Sequence, residues 1–148
     1  MEIVNRKAKF NYFILEDIEC GIELLGNEVK SIREGSCNIK DSYGIVRKDE
    51  IFLVNMFIKK YKEAASFAAD ETRTRKLLLH KKEIQKLKSD VERQGLTLIP
   101  LKIYFKKNKV KVLLGICKGK KNYDKRETIK ERENNIKINR EISELNRN

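Results

Sequence analysis

"LKIYFKKNKVKVLLGI", Leu101 to Ile116, decides the fold. Leu101, Ile103 and Phe105 fall on one side of an extended chain, while Lys102, Tyr104 and Lys106 fall on the other. After a turn near Asn108, Val110, Val112, Leu114 and Ile116 repeat the alternation, with Lys111 opposite them. A period of two over both halves predicts an antiparallel hairpin, one face on a core and the other holding ammonium groups in water. The positive charge therefore has a direction.

Outward from this hairpin, "DSYGIV" and "IFLVNMFI" predict two more strands joined by a polar turn from Arg47 to Glu50. Lys9 to Leu25 predicts two extended runs broken at Glu16-Asp17. "GNEVKSIREG" has the marks of a short helix: Asn27 to cap it, Val29 and Ile32 on one face, and Gly35 to stop it. Ile84, Leu87 and Val91 stand at i, i+3, i+7 in a second helix that ends at Gly95, with His80 at its start. Lys59 to Lys76 has no sustained period and predicts a long loop. Short strands, two helices and a single proline predict a mainly β fold, a small antiparallel barrel of the oligonucleotide-binding (OB) type.

The chain has 148 residues, enough for one core plus an extension. Its 34 Lys+Arg against 22 Asp+Glu give a net charge of +12, which calls for a polyanion: nucleic acid or an anionic membrane surface. No stretch approaches the roughly 20 apolar residues of a spanning helix, and "MEIVNRKAKF" has no signal-peptide apolar region. A cytoplasmic protein is expected. Cys20, Cys37 and Cys117 are odd in number, far apart and without CxxC spacing, so they predict unpaired thiols and no zinc site. One histidine and scattered Asp41, Asp49 and Asp70 offer no acid/base or metal constellation. The reading is a binding protein without cofactor or metal, not an enzyme.

From Lys118 the alternation stops. The segment that opens with "KGKKNYDKRETIKERE" and runs to Asn148 holds ten Lys/Arg, six Asp/Glu and six apolar side chains in 31 residues. Ile138, Ile142 and Leu145 make a thin helical stripe, and Glu133 with Lys137 adds an i, i+4 pair. The division expected is a body over residues 1–117 and a basic arm over 118–148, disordered when free and helical against an anionic surface.

Four blocks in this order, "NRKAKFNYFILEDIECGIELLGNEVKSIREGSCNIKDSY", "TRTRKLLLH", "GLTLIPLKIYF" and "GICKGKKNYDKRETIKERE", resemble the SmpB family, bacterial small protein B. The resemblance runs from about Asn5 to Glu133. It implies an OB-type barrel with small helices and a basic tail. It implies a non-catalytic RNA-binding adaptor that holds the transfer-RNA-like domain of transfer-messenger RNA (tmRNA) and stands in for the missing anticodon arm. It implies entry to stalled ribosomes, with the tail helical in the decoding site and mRNA channel, so that the unfinished protein is tagged for degradation. A monomer is expected when free.

For tmRNA the resemblance points to Asn5, with Arg6 and Lys7 beside it in "NRKA", and to Glu19, Leu78 and Lys111. Spacing alone would make Asn5 a cap or turn residue and Leu78 a core residue. Glu19 could pair with a lysine, or accept from a guanine edge or a ribose hydroxyl. Arg73, Arg75 and Lys76, a charge run beside the long loop, would make a phosphate clamp. For the ribosome, the tail positions are Lys118, Gly119 as pivot, Lys120, Lys121, Tyr123, Asp124, Lys125, Arg126, Lys130 and Arg132. Tyr123 stands where some members have His, and Glu71 follows Asp70 where many have Pro. The alternatives are a ribosomal or initiation-type barrel protein, which the arm argues against, and an RNA-processing hydrolase.

Overall fold

The computed structural model describes residues 2–60 and 70–121, together with residues 126, 129, 133 and 136. In chain order the elements are β1 (Glu2–Val4), α1 (Ala8–Asn11), β2 (Tyr12–Ile22), α2 (Gly26–Arg33), β3 (Cys37–Asn38), β4 (Tyr43–Arg47), β5 (Glu50–Val54), β6 (Phe57–Ile58), β7 (Arg75–Leu78), α3 (Lys81–Gln94), β8 (Thr97–Lys106) and β9 (Lys109–Gly119). The fold is mainly β, as the alternation predicts.

The strands pair in the order β1-β8-β4-β5-β7-β2-β9, and β8 also pairs with β9. Six strands from β8 round to β9 thus form an antiparallel ring, with β1 on the free part of β8. The β8–β9 hairpin turns through Lys107 and Asn108, both at positive φ, 52° and 63°. Lys48 and Asp49 do the same between β4 and β5. Two left-handed residues in succession match the twist of the flanking strands.

The core is legible in the periods. Val112, Leu114 and Ile116 of β9 are buried against Leu53, Leu77, Leu98 and Ile103. Leu87 buries the apolar side of α3 in the same core, and Gly95, at φ 64°, ends that helix as expected. A smaller cluster of Ala8, Ile99 and Cys117 lies under α1, on the opposite side of the sheet. Cys20 and Cys117 are buried and Cys37 is half-buried; all three are unpaired. Burial pushes the Cys20 and Cys37 thiols up to about 12, which leaves them protonated and inert at neutral pH.

Four local expectations are corrected. Lys9 to Leu25 is not two strands: α1 precedes one unbroken β2, and the irregularity is a bulge between Ile14 and Glu16 opposite β9. A second bulge, between Pro100 and Lys102, removes Leu101 from the phase of Ile103 and Phe105. Asn27 does not cap α2. The Leu25 N–H, at the helix start, donates to the Glu28 carboxylate at 2.9 Å. "IFLVNMFI" is two strands, because Asn55 takes φ 59° and turns the chain from β5 into β6.

β4 meets β8 at the pair Gly44–Leu98. A Cβ on Gly44 would stand 2.9 Å from the Leu98 Cβ, which has no flexible end to move. Gly44→Ala should therefore destabilise the fold by about 1–3 kcal/mol, read as a lower urea midpoint. An unchanged midpoint would show that the contact yields freely.

Candidate nucleic-acid interface

Strand register builds the site. Tyr104 pairs with Lys111, Lys111 with Gly21, and Gly21 with Leu78. Directly paired residues project from the same face, so β8, β9, β2 and β7 carry one row: Tyr104, Lys111, Gly21, Leu78. One step along, Lys102 pairs with Leu113 and Leu113 with Glu19. Their neighbours Ile103, Val112, Cys20 and Leu77 point the other way, into the core. Burial of one face therefore presents the other as a polar, basic sheet.

Gly21 opens this surface. A Cβ there would already meet the Leu78 Cβ at 3.2 Å. Without one, Leu78 and Lys111 flank a groove of about 420 Å³ that also takes in Glu19, His80 and Glu83. Leu78 is exposed, 46 %, which excludes the core position that spacing suggested. Beyond the row, Lys106, Lys107 and Lys109 crowd the hairpin tip, and Arg33 lies over the Phe105 ring at 4.6 Å.

Glu19 is one of the acids on this basic face, with Asp17 on its own strand and Glu2 paired to Tyr104. The Tyr104 hydroxyl donates to its Oε2, and the Lys106 ammonium lies 3.3 Å from Oε1. The Tyr104 hydrogen bond first, then Lys106 and Lys111, hold the Glu19 carboxyl below its ordinary range. Burial, then the neighbouring carboxylate, pushes the Tyr104 phenol up to about 12.

The remaining expected residues divide. Arg6 and Lys7 are exposed. Asn5 is buried, its Nδ2 donating to the Pro100 carbonyl at 3.0 Å and the Ile39 carbonyl at 3.4 Å. It is a brace beneath α1 rather than a surface contact. Arg6 nevertheless reaches the same outer face, through a groove of about 740 Å³ shared with Asp17, Lys102 and Leu113.

The clamp of three cations is corrected. Arg75 is buried, 1 % exposed. Its Nε donates to Glu28 at 2.8 Å, and its other nitrogens donate to the Met56, Arg73 and Glu71 carbonyls at 2.6, 3.1 and 3.2 Å. Such a guanidinium has no access to a phosphate; it fixes α2 to β7 and the β5–β6 link. Arg73, half-buried, also donates to Glu28, and Lys76 pairs with Glu50 at 3.1 Å. Burial pushes the Glu28 carboxyl up, but the bonds from Arg73, the Leu25 N–H and Arg75 outweigh it and leave the group lowered.

Strand β9 runs past residue 118. Lys118 and Gly119 still pair with Phe13 and Tyr12, and the Lys120 N–H donates to the Asn11 carbonyl at 2.9 Å. The Lys120 ammonium donates to the Lys9 carbonyl and lies 4.9 Å from the Phe13 ring centre. Lys121 closes the described run. Beyond it, Arg126, Ile129, Glu133 and Ile136 are helical and exposed. Tyr123, Asp124, Lys125, Lys130 and Arg132 lie outside the described residues. Among the described residues, no three His, Cys, Asp or Glu gather as a metal ligand set, and no helix is long and apolar enough to cross a membrane.

Sequence reasoning missed Tyr104 and Gly21 as site residues. An aromatic interleaved with lysines on the solvent face was the available signal for the first; Gly21 becomes visible only once Leu78 is known to be its neighbour.

Comparison with known proteins finds relatives along nearly the whole chain. The family model described as SmpB protein matches residues 2–144. An SsrA-binding protein of Clostridium perfringens (strain 13 / Type A) is 51% identical over 143 residues, covering 97% of this chain and 92% of the relative. One from Borreliella afzelii (strain PKo) is 52% identical over 140 residues, covering 95% and 93%. A solved chain, from work on tmRNA-SmpB and the bacterial ribosome, superposes with a TM-score of 0.70 at 42% identity, covering 86% of this chain and 94% of the other.

The Glu28 cluster has a pH signature. A carboxyl lowered in the folded state stabilises fully above its unfolded pKa, about 4.3, and that contribution is lost as pH falls through the folded value. Melting temperature should drop on acidification through that window. Glu28→Gln, which leaves the buried Arg75 charge uncompensated, should cost about 3–5 kcal/mol at neutral pH and flatten the acid limb. An unaltered acid limb in the variant would place the titration elsewhere.

Proposed function

The chain belongs to the SmpB protein family, and from that premise we propose that its outer sheet face receives tmRNA while its arm serves the ribosome. It is a tmRNA-binding adaptor of trans-translation, acting with the stalled ribosome in ribosome rescue. The single observation that carries the site is the row Leu78–Gly21–Lys111 with Glu19 beside it. It brings together three of the expected tmRNA residues, Glu19, Leu78 and Lys111, from three strands on an exposed, cationic, grooved face.

Each portion of that face suits a different portion of an RNA. The Lys111 ammonium and the hairpin-tip lysines suit phosphates, which position without reading sequence. Leu78 and the gap over Gly21 suit the apolar face of an unstacked base, and the Glu19 carboxylate suits a base or ribose donor. No step in this function breaks a bond on the protein; its work is positioning. The chain is cytoplasmic and monomeric when free, with Arg73 and Lys76 in reach of phosphates and Arg75 anchoring the segment between them.

The arm, on this reading, occupies the decoding site and mRNA channel as a helix, with Lys125, Arg126, Lys130 and Arg132 meeting phosphates. The four helical positions Arg126, Ile129, Glu133 and Ile136 support a helical state.

Recovery of the chain from its host, with sequencing of the RNA that comes with it, tests the whole reading. One dominant tmRNA is expected; bulk ribosomal RNA without it would favour a ribosomal protein instead. Truncation after Lys121 should leave binding to the transfer-RNA-like domain nearly intact and abolish tagging of stalled chains, so normal tagging by the truncated protein would remove the arm from the mechanism. Binding should also weaken with salt at a log–log slope of roughly −3 to −5 if about four to six phosphates are neutralised. Lys111→Ala should make that slope shallower by about one unit; an unchanged slope would show that Lys111 meets no phosphate.

A further inference from the structure

We propose that Tyr104 is a positioning residue of the RNA interface. Its hydroxyl, with the Lys106 ammonium, fixes the Glu19 carboxylate so that the remaining lone pairs of both oxygens face outward as acceptors for donors of an unpaired nucleotide. This rests on the reading that Glu19 touches RNA.

A glutamate on an exposed strand turns about several side-chain torsions, and binding must remove that freedom. Here much of it is removed beforehand. Tyr104 holds Oε2 and Lys106 holds Oε1, one donor on each oxygen. An ionised carboxylate has about four lone-pair sites, so one is left on each oxygen. Tyr104 is itself well placed to act as a fixed donor. It is half-buried, set opposite Lys111 by strand register, and its ring lies 5.4 Å from the Lys102 ammonium. A tyrosine has few torsions to lose, so its hydroxyl is presented at little entropic cost.

Charge explains why such a device is needed. A carboxylate on a face that attracts phosphates is repelled by the ligand unless it meets hydrogen-bond donors. Left to itself, Glu19 could turn to either Lys106 or Lys111, the cation at the centre of the row. The groups around it are Lys106 on β8, Lys111 on β9, Asp17 on its own strand, and His80 and Glu83 across the groove at α3. The ion pair it makes is with Lys106, so Tyr104 and Lys106 together keep it away from Lys111.

The test measures affinity of the full chain for a transcribed transfer-RNA-like domain of tmRNA, in a cycle of Tyr104→Phe, Glu19→Ala and the double variant. Tyr104→Phe should weaken binding by about three- to tenfold, the range for one lost hydrogen bond. The salt slope should stay unchanged, because no phosphate contact is lost. In the Glu19→Ala background the same substitution should have no further effect. Losses that add in the double variant would make Tyr104 a direct RNA contact or a merely structural residue and overturn the proposal. A neutral Tyr104→Phe beside a weakened Glu19→Ala would overturn it too, while leaving the Glu19 contact standing. A neutral Glu19→Ala would instead remove the reading on which the proposal rests.

Discussion

The close approach of Gly44 to Leu98 is the constraint on which the rest depends. β8 pairs with β9 along one edge, and its other edge is divided between β4 and β1. A side chain at 44 would press on Leu98 and strain the pairing of β4 with β8, the point where the ring closes. Closure in turn locks register, because a one-residue slip of β9 would turn Lys111 inward and Val112 outward. The row Tyr104, Lys111, Gly21, Leu78 is therefore a consequence of core packing. Val112 and Leu77, fully buried, place the site residues that alternate with them.

This is why so much of the hairpin was legible in the sequence. Alternation over Leu101 to Ile116 reports burial, and burial on one face states what the other face carries. What it could not report is where a strand bulges. The bulges opposite Ile14–Glu16 and Pro100–Lys102 change which residues share a face without changing the residue types, so Leu101 was placed in phase with Ile103. Capping failed similarly: Asn27 is a good cap by type, but Glu28 was one residue on and reached the Leu25 N–H. Arg75 was the hardest to see. In sequence it is one charge in "TRTRK"; its burial depends on Glu28, 47 residues earlier, on the Met56 carbonyl, 19 residues earlier, and on the nearby Arg73 and Glu71 carbonyls. Leu78 erred in the opposite sense, an apolar residue left outside because its face of β7 is the outer one.

The chain also assigns its two cation types to different work. The buried cation is an arginine, whose fork of donors satisfies a carboxylate and several carbonyls at once. On the outer side of the hairpin the cations are lysines, at 102, 106, 107, 109 and 111. Compact, hydrated ammonium groups on flexible stems suit many phosphate arrangements without demanding one geometry. Specific geometry is confined to the region of the face that is held: Glu19 between Tyr104 and Lys106, and the gap at Gly21. A surface divided in this way can bind RNA through charge and discriminate through only a few fixed groups.

The same ladder that builds the face also sets a distance. Gly21 and Lys111 pair near one end of the β2–β9 ladder, and Tyr12 and Gly119 pair at the other. Eight residues of β9 separate them, about 27 Å at the usual rise. Lys120, bound to the Asn11 and Lys9 carbonyls, carries the anchored chain a further residue past the strand. The arm therefore departs from a rigid root, at the opposite end of the ladder from Leu78. For an adaptor that must hold one RNA while another structure is entered, this matters more than the helicity of the arm. Under the proposed function, a loose root would let the arm swing about the bound RNA and dilute its effective concentration at the ribosome. A paired strand carries the position of the first contact to the second with few torsions free between them.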